Sequence, residues 1–235
     1  KNHIFFGIKG PKNDGNNYAD EAIKNGASLA IVNKLGKLNK SKKIKTKNTL
    51  EVLTNASKDV RKISNAKFIS ITGSSGKTSL KDLLSFGLSK LAPISKSAQS
   101  FNNKFGVPLS LFNVKKNDKF AILEVGMNKA GEIDNLTKII KPNIGVITNI
   151  SYAHIKNFKS LTEIAKAKSE IINNIVEGGK IILNRDDDYF DFIKKIALRK
   201  NIHIVSFSKK NSLSDIYIKK IISKKTNYKI FINIK

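Results

Sequence analysis

The sequence has no cysteine, few acidic residues and almost no arginine. Without cysteine there is no disulfide and no thiolate metal site, which fits a reducing compartment. No apolar run approaches the roughly 20 residues that a membrane helix needs. No secretory signal is visible. The chain opens inside what reads as a strand, so a true N-terminus is expected before Lys1. Acidic residues number 18 against 44 lysines and arginines, a formal charge of +26. Such a charge ordinarily points to nucleic acid. Here Arg61, Arg185 and Arg199 are the arginines, and the lysines are scattered among Asn and Ile. No arginine stripe and no basic–aromatic interleaving accompanies them. The charge therefore reads as a lysine-rich surface that favours anionic ligands, not as a nucleic-acid interface.

What is present is a chain of 235 residues with 40% hydrophobic content, enough for one large α/β domain or two smaller ones. The most informative stretch is Ile69-Ser70-Ile71-Thr72-Gly73-Ser74-Ser75-Gly76-Lys77-Thr78-Ser79. A β-rich run from Phe68 to Thr72 meets two glycines, a lysine and a hydroxyl. A helix comes next, from Ser79 to Leu91, with Leu80, Leu83, Leu84, Leu88 and Leu91 at helical spacing. Such a turn points backbone N–H groups inward at a helix N-terminus and so cradles phosphate. Lys77 would reach β/γ-phosphate oxygens and the Thr78 hydroxyl would ligate Mg²⁺. The spacing is G-x-x-G-K-T, shorter than the usual phosphate loop, whose first glycine would fall at Ile71.

Before this loop the pattern is small and mixed. Strands are expected at Ile4 to Ile8, Leu29 to Val32 and near Ile44. Helices are expected at Tyr18 to Asn25 and Thr49 to Ile63, the second with Leu50, Leu53, Val60 and Ile63 apolar. A domain boundary is placed at Ser64-Asn65-Ala66, dividing the chain into 1–65 and 66–235. From Phe68 strands and helices alternate. Strands are expected around Ile94 and at Phe120 to Glu124, Ile144 to Ile150, Lys180 to Asn184 and Ile202 to Phe207. Helices are expected at Val107 to Asn113, Gly131 to Ile140, Ser160 to Ile175 and Tyr189 to Arg199. Asp215 to Ile222 and Tyr228 to Ile234 alternate as a hairpin would. The fold class is therefore α/β, a mostly parallel sheet flanked by helices, preceded by part of a small α/β domain. Ligands of such sheets sit beyond the carboxyl ends of the strands.

That rule selects candidates. Glu124 ends an apolar strand and would hold Mg²⁺ beside Thr78, although a solvated strand-end glutamate reads the same. His154 comes after the strand ending at Ile150, where a surface-loop histidine is the plain alternative. Lys168 falls within the stripe of Leu161, Ile164, Ala165, Ile171, Ile172 and Ile175, whereas Lys166 falls off it. An inward lysine snorkels, pairs, or loses its charge and becomes reactive. Asn184 to Asp188 also lies just past a strand, either as a nucleotide or metal contact or as an acidic turn at the start of the next helix.

Together these stretches resemble the Mur ligases. The likeness rests on Thr72 to Thr78, Ser100 to Leu109, Glu124 to Ile133, Asn149 to His154 and Ala165 to Ile171, in that order. The resemblance implies an ATP-dependent amide-forming ligase of peptidoglycan precursor synthesis. Its substrates would be UDP-N-acetylmuramoyl-tripeptide and D-alanyl-D-alanine, joined through an acyl phosphate. It implies a monomeric cytoplasmic enzyme with no nucleic-acid or membrane partner. Gly73, Ser74, Ser75, Gly76, Lys77, Thr78 and Ser79 would bind ATP phosphates. Thr78 and Glu124 would hold one Mg²⁺, and His154 with a carbamylated Lys168 a second. Lys77, His154 and Lys168 would be catalytic, and Asn102 and Asn103 would contact substrate. By the same resemblance 1–65 is the end of a UDP-sugar substrate domain and 66–235 the central ATP-binding domain. The C-terminal ligase domain is expected to be absent, leaving a fragment inactive by itself. Another ligase of this type, such as folylpolyglutamate synthase, a nucleotide-binding fragment without catalysis, and a basic nucleic-acid-binding phosphate-loop protein are the alternatives.

Overall fold

A computed structural model describes residues 3–11, 13–36, 40–152, 157–223 and 227–235. The chain divides into two compact units, Lys1–Asp59 and Val60–Lys235. The division falls within one helix rather than at Ser64 to Ala66.

In the first unit, β1 (His3–Phe6), β2 (Ala27–Val32) and β3 (Lys43–Lys45) form a parallel sheet in chain order. Helix α1 (Ala19–Lys24) stops where Gly26 takes a φ of 99°, a conformation glycine adopts without a side-chain clash. Ala19 and Ile23 on α1 pack on Ala30 and Val32 of β2. Helix α2 (Thr49–Ile63) begins here and ends in the second unit. Its expected apolar face is only partly buried: Leu53 is inaccessible, but Ile63 is 79% exposed at the helix end.

The second unit carries an eight-stranded sheet. Its strands are β4 (Lys67–Thr72), β5 (Ile94–Lys96), β6 (Phe120–Glu124), β7 (Ile144–Ile147), β8 (Lys180–Asn184), β9 (His203–Ser208), β10 (Ile216–Ser223) and β11 (Tyr228–Ile234). They run in the order β11-β10-β9-β8-β7-β4-β6-β5, and every pairing is parallel except β10 with β11. The period-2 alternation of strands separates two apolar layers. Phe68, Ala121, Leu123, Ile147, Ile181 and Leu183 face a core shared with α4 (Gly106–Phe112), α5 (Glu132–Ile140), α6 (Leu161–Ser169) and α7 (Phe190–Arg199). Ile69, Ile71, Ile122 and Val146 face the opposite side, covered by Leu80, Leu84 and Leu88 of α3 (Lys77–Ser89).

Several expectations change. Helix α3 starts two residues early, at Lys77, and ends at Ser89, so Leu91 of the expected stripe lies past the helix and is 78% exposed, while Leu83 on the helix is 69% exposed. The sheet covers a narrower arc of that helix than leucine spacing suggests. Strand β7 stops at Ile147 because Thr148 and Asn149 turn toward the phosphate loop. The long helix expected from Ser160 is capped by that serine's hydroxyl but tightens into a 3-10 helix over Glu170–Asn174. The hairpin forms as expected, yet alternation does not bury one face. Ile230, Ile232 and Ile234 of the edge strand β11 are all more than half exposed.

Candidate active site

The sheet order makes the site. Strand β4 lies between β6 and β7, so the chain crosses over β4 after β6. The carboxyl ends of these strands converge there, at a topological switch point. Register aligns Ile71 with Glu124 and Thr72 with Ile147. The loop after Thr72 therefore lies between the segment leaving β6 and the segment leaving β7.

Gly73 and Gly76 are required for different reasons. Gly73 has a φ of 148°, and a Cβ there would lie 1.8 Å from Thr148 Oγ1. Gly76 precedes α3 with a φ of 77° and has open space where a Cβ would be. Ser74 N donates to Asn149 O at 3.0 Å, and Ser75 N to Asn149 Oδ1 at 3.0 Å. Thr148 Oγ1 donates to Ser75 O at 2.6 Å, and Asn149 Nδ2 to Ser75 Oγ at 2.8 Å. Ser74 Oγ donates to Ser151 O at 2.8 Å. The loop is thus held from the β7 side. Helix α3 presents its first N–H groups at the loop's end, where an anion is favoured. Ser79 lies in the first turn of that helix.

Lys77 folds back, donating to Gly73 O at 2.8 Å. Burial lowers its pKa and nearby Glu124 partly opposes that. Thr78 Oγ1 donates to Glu124 Oε2 at 2.8 Å, and Asn102 Nδ2 to Glu124 Oε1 at 2.8 Å. Glu124 is 1% exposed, so both carboxylate oxygens are held in place. Lys168 is 2% exposed, inside the stripe as its spacing indicates. Burial, and then Lys77, lower its pKa from 10.5 to about 7. Among the described residues no hydrogen bond or ion pair engages its amine. Gly73, Lys77, Asn102, Asn103, Glu132 and Lys168 share a cavity of about 120 Å³. A second cavity, of about 370 Å³, adjoins it and shares Asn103 and Glu132. Two lysines at a phosphate-sized space, beside a hydroxyl–carboxylate pair, suit a polyanion with its divalent cation.

Residues 71–235 match the Mur ligase middle domain. The chain belongs to the Mur ligase family. It is 39% identical over 207 residues to the UDP-N-acetylmuramoyl-tripeptide–D-alanyl-D-alanine ligase of Rickettsia prowazekii, covering 88% of this chain and 45% of that protein. It therefore spans less than half the length of that relative. The crystal structure of MurF from Acinetobacter baumannii superposes with a TM-score of 0.84 at 31% identity, over 98% of this chain and 50% of that one. The MurF ligase of Thermotoga maritima, solved with ADP, shares the fold, with a TM-score of 0.81 at 24% identity over 100% of this chain and 53% of that one.

Of the residues singled out in the sequence of this Mur ligase domain, the structure brings together Gly73 to Thr78, Glu124, Asn102, Asn103 and Lys168. His154 lies outside the described residues. Asn103 Oδ1 accepts the N–H groups of Phe105 and Gly106, both at 3.0 Å, opening α4. The acidic turn after β8 faces the loop only indirectly. Asp187 accepts Ile150 N at 2.7 Å and Tyr189 N at 2.9 Å, tying the segment after β7 to the start of α7. Sequence reasoning missed two tethering residues, Thr148 and Glu170. Glu170 accepts Gly131 N at 2.7 Å and Asp134 N at 3.1 Å, which anchors the loop before α5. Its only local signal was a carboxylate two residues after Lys168.

Proposed function

We propose that this chain carries the ATP-binding centre of a ligase joining D-alanyl-D-alanine to UDP-N-acetylmuramoyl-tripeptide. The observation that carries this reading is the Thr78–Glu124 pair beside Lys77, at the mouth of the strand–loop–helix cradle. The name of the Rickettsia prowazekii relative supports the choice of substrates. Residues 66–235 would form the central ATP-binding domain and 1–65 the end of the UDP-sugar domain.

The substrate carboxylate would attack the γ-phosphorus of ATP, releasing ADP and forming an acyl phosphate. The dipeptide amine would then attack the acyl carbon and expel phosphate. Lys77 would leave Gly73 O to bind phosphate oxygens, and the first N–H groups of α3 would hold the same anion. The hydroxyl and carboxylate of Thr78 and Glu124 are hard oxygen donors that fit Mg²⁺, so they would hold it. Bound Mg²⁺ would supply charge neutralisation at the phosphates. Lys168, with its pKa lowered to about 7, has a neutral amine available for CO₂. Its nitrogen would bond to the carbon of CO₂ and release a proton, leaving a carbamate that offers oxygen ligands to a second Mg²⁺, with His154 as partner.

Calorimetric titration of Mg²⁺-ATP into this chain and into Lys77→Ala tests the proposal. Binding lost in the variant is the expected result. Equal binding by both chains would remove the phosphate-loop assignment.

A further inference from the structure

We infer that Asn102 is a positioning residue for the Glu124 carboxylate: it holds one oxygen so that the other stays aimed at Thr78. This rests on the proposed Mg²⁺ role of Thr78 and Glu124. Asn102 Nδ2 donates to Glu124 Oε1 at 2.8 Å, while Thr78 Oγ1 donates to Oε2 at 2.8 Å. The carboxylate is 1% exposed, so no water shell orients it. Ser97 Oγ accepts the Glu124 backbone N–H at 3.2 Å, which fixes the base of the side chain. Asn102 is itself fixed, because its carbonyl accepts Gly126 N at 2.8 Å.

Gly126 makes this arrangement possible. A Cβ on that glycine would lie 2.9 Å from both Cγ and Oδ1 of Asn102. The side chain of Asn102 therefore lies across the bare backbone of Gly126 to reach Glu124. One of the two N–H donors on its Nδ2 is engaged by the carboxylate. A carboxylate held by one oxygen presents the other to a cation in a single orientation. Groups behind a metal ligand of this kind characteristically change metal affinity by about 10- to 100-fold.

The test uses the intact chain with Mn²⁺ as a paramagnetic probe, titrated in the presence of a non-hydrolysable ATP analogue. Asn102→Leu keeps the volume and removes the donor. The expected result is Mn²⁺ affinity weakened by about tenfold or more, in a variant that still unfolds cooperatively on heating. Gly126→Ala displaces Asn102 without altering it and is expected to weaken Mn²⁺ in the same way. It also serves if Asn102→Leu does not fold. Mn²⁺ affinity within about twofold of the unaltered chain, in whichever variants fold, overturns the inference while leaving the proposed function standing. So does weaker binding of UDP-N-acetylmuramoyl-tripeptide with unchanged Mn²⁺ affinity. Failure of the unaltered chain to bind Mn²⁺ with the analogue overturns the proposed metal site, and this inference with it.

Discussion

Replacing Lys168 by methionine should stabilise the chain, and by an amount that depends on pH. Lys168 is 2% exposed, and burial followed by proximity to Lys77 lowers its pKa from 10.5 to about 7. In the unfolded chain the amine returns to its ordinary value. Between these two values the unfolded chain binds the extra proton, so stability rises as pH rises through that window. Below pH of about 7 both states are protonated and the full cost of burying the ammonium is present. At about 1.36 kcal/mol per pH unit, the whole window corresponds to about 5 kcal/mol. The part between about pH 7 and about pH 9 corresponds to about 2 kcal/mol, or roughly 4–8 °C in melting temperature for a unit of this size. Lys168→Met keeps the apolar stem and carries no proton. Urea unfolding of both chains from about pH 6 to about pH 9, in CO₂-free buffer, isolates the effect because every other group titrates in both. The advantage of the methionine chain should be largest at the acidic end and shrink by about 2 kcal/mol toward the alkaline end. A difference that stays constant across this range would refute the argument that Lys168 is buried with a depressed pKa.

The same contacts imply further outcomes. Gly73→Ala should destabilise the chain by about 3 kcal/mol in urea unfolding, through steric overlap with Thr148 and a left-handed φ. Removing two N–H acceptors from the start of α5 by Glu170→Ala should cost about 2 kcal/mol and raise hydrogen exchange at Gly131 and Asp134. Leu83→Gln on the exposed face of α3 should change stability by no more than about 0.5 kcal/mol, measured by thermal unfolding. With [¹³C]bicarbonate, a carbamate carbonyl resonance should appear in the unaltered chain and be missing from Lys168→Met.

Local pattern was enough for the elements that begin and end on strong signals. The run from Phe120 to Glu124 is continuous and apolar and forms β6 with the bounds its sequence implies. The stripe on α6 put Lys168 on the buried face, because helical period alone decides which residues share a face. The glycines, Lys77 and Thr78 mark the tight turn that opens α3, because such a turn before a helix N-terminus admits few residue types. Family likeness added roles to those residues.

Only tertiary structure could decide what depends on neighbours distant in sequence. Leucine spacing reveals neither how wide a face the sheet covers nor where α3 ends, so Leu83 keeps the helical spacing yet is exposed, and Leu91 falls past Ser89. The end of β7 is set by Thr148 and Asn149 bonding a loop more than 70 residues earlier. Helix α6 gives way to a 3-10 turn at Glu170, where that carboxylate binds the N–H groups that open α5. Glu124 acquires its orientation from Thr78 and Asn102, residues on two other segments. The sequence by itself determined which residue types could hold phosphate and a hard cation, since that is a property of local geometry and functional groups. Their mutual distances, the depressed pKa of Lys168 and the tethering of the loop come from strand order and burial, which arise only when β4 is placed between β6 and β7.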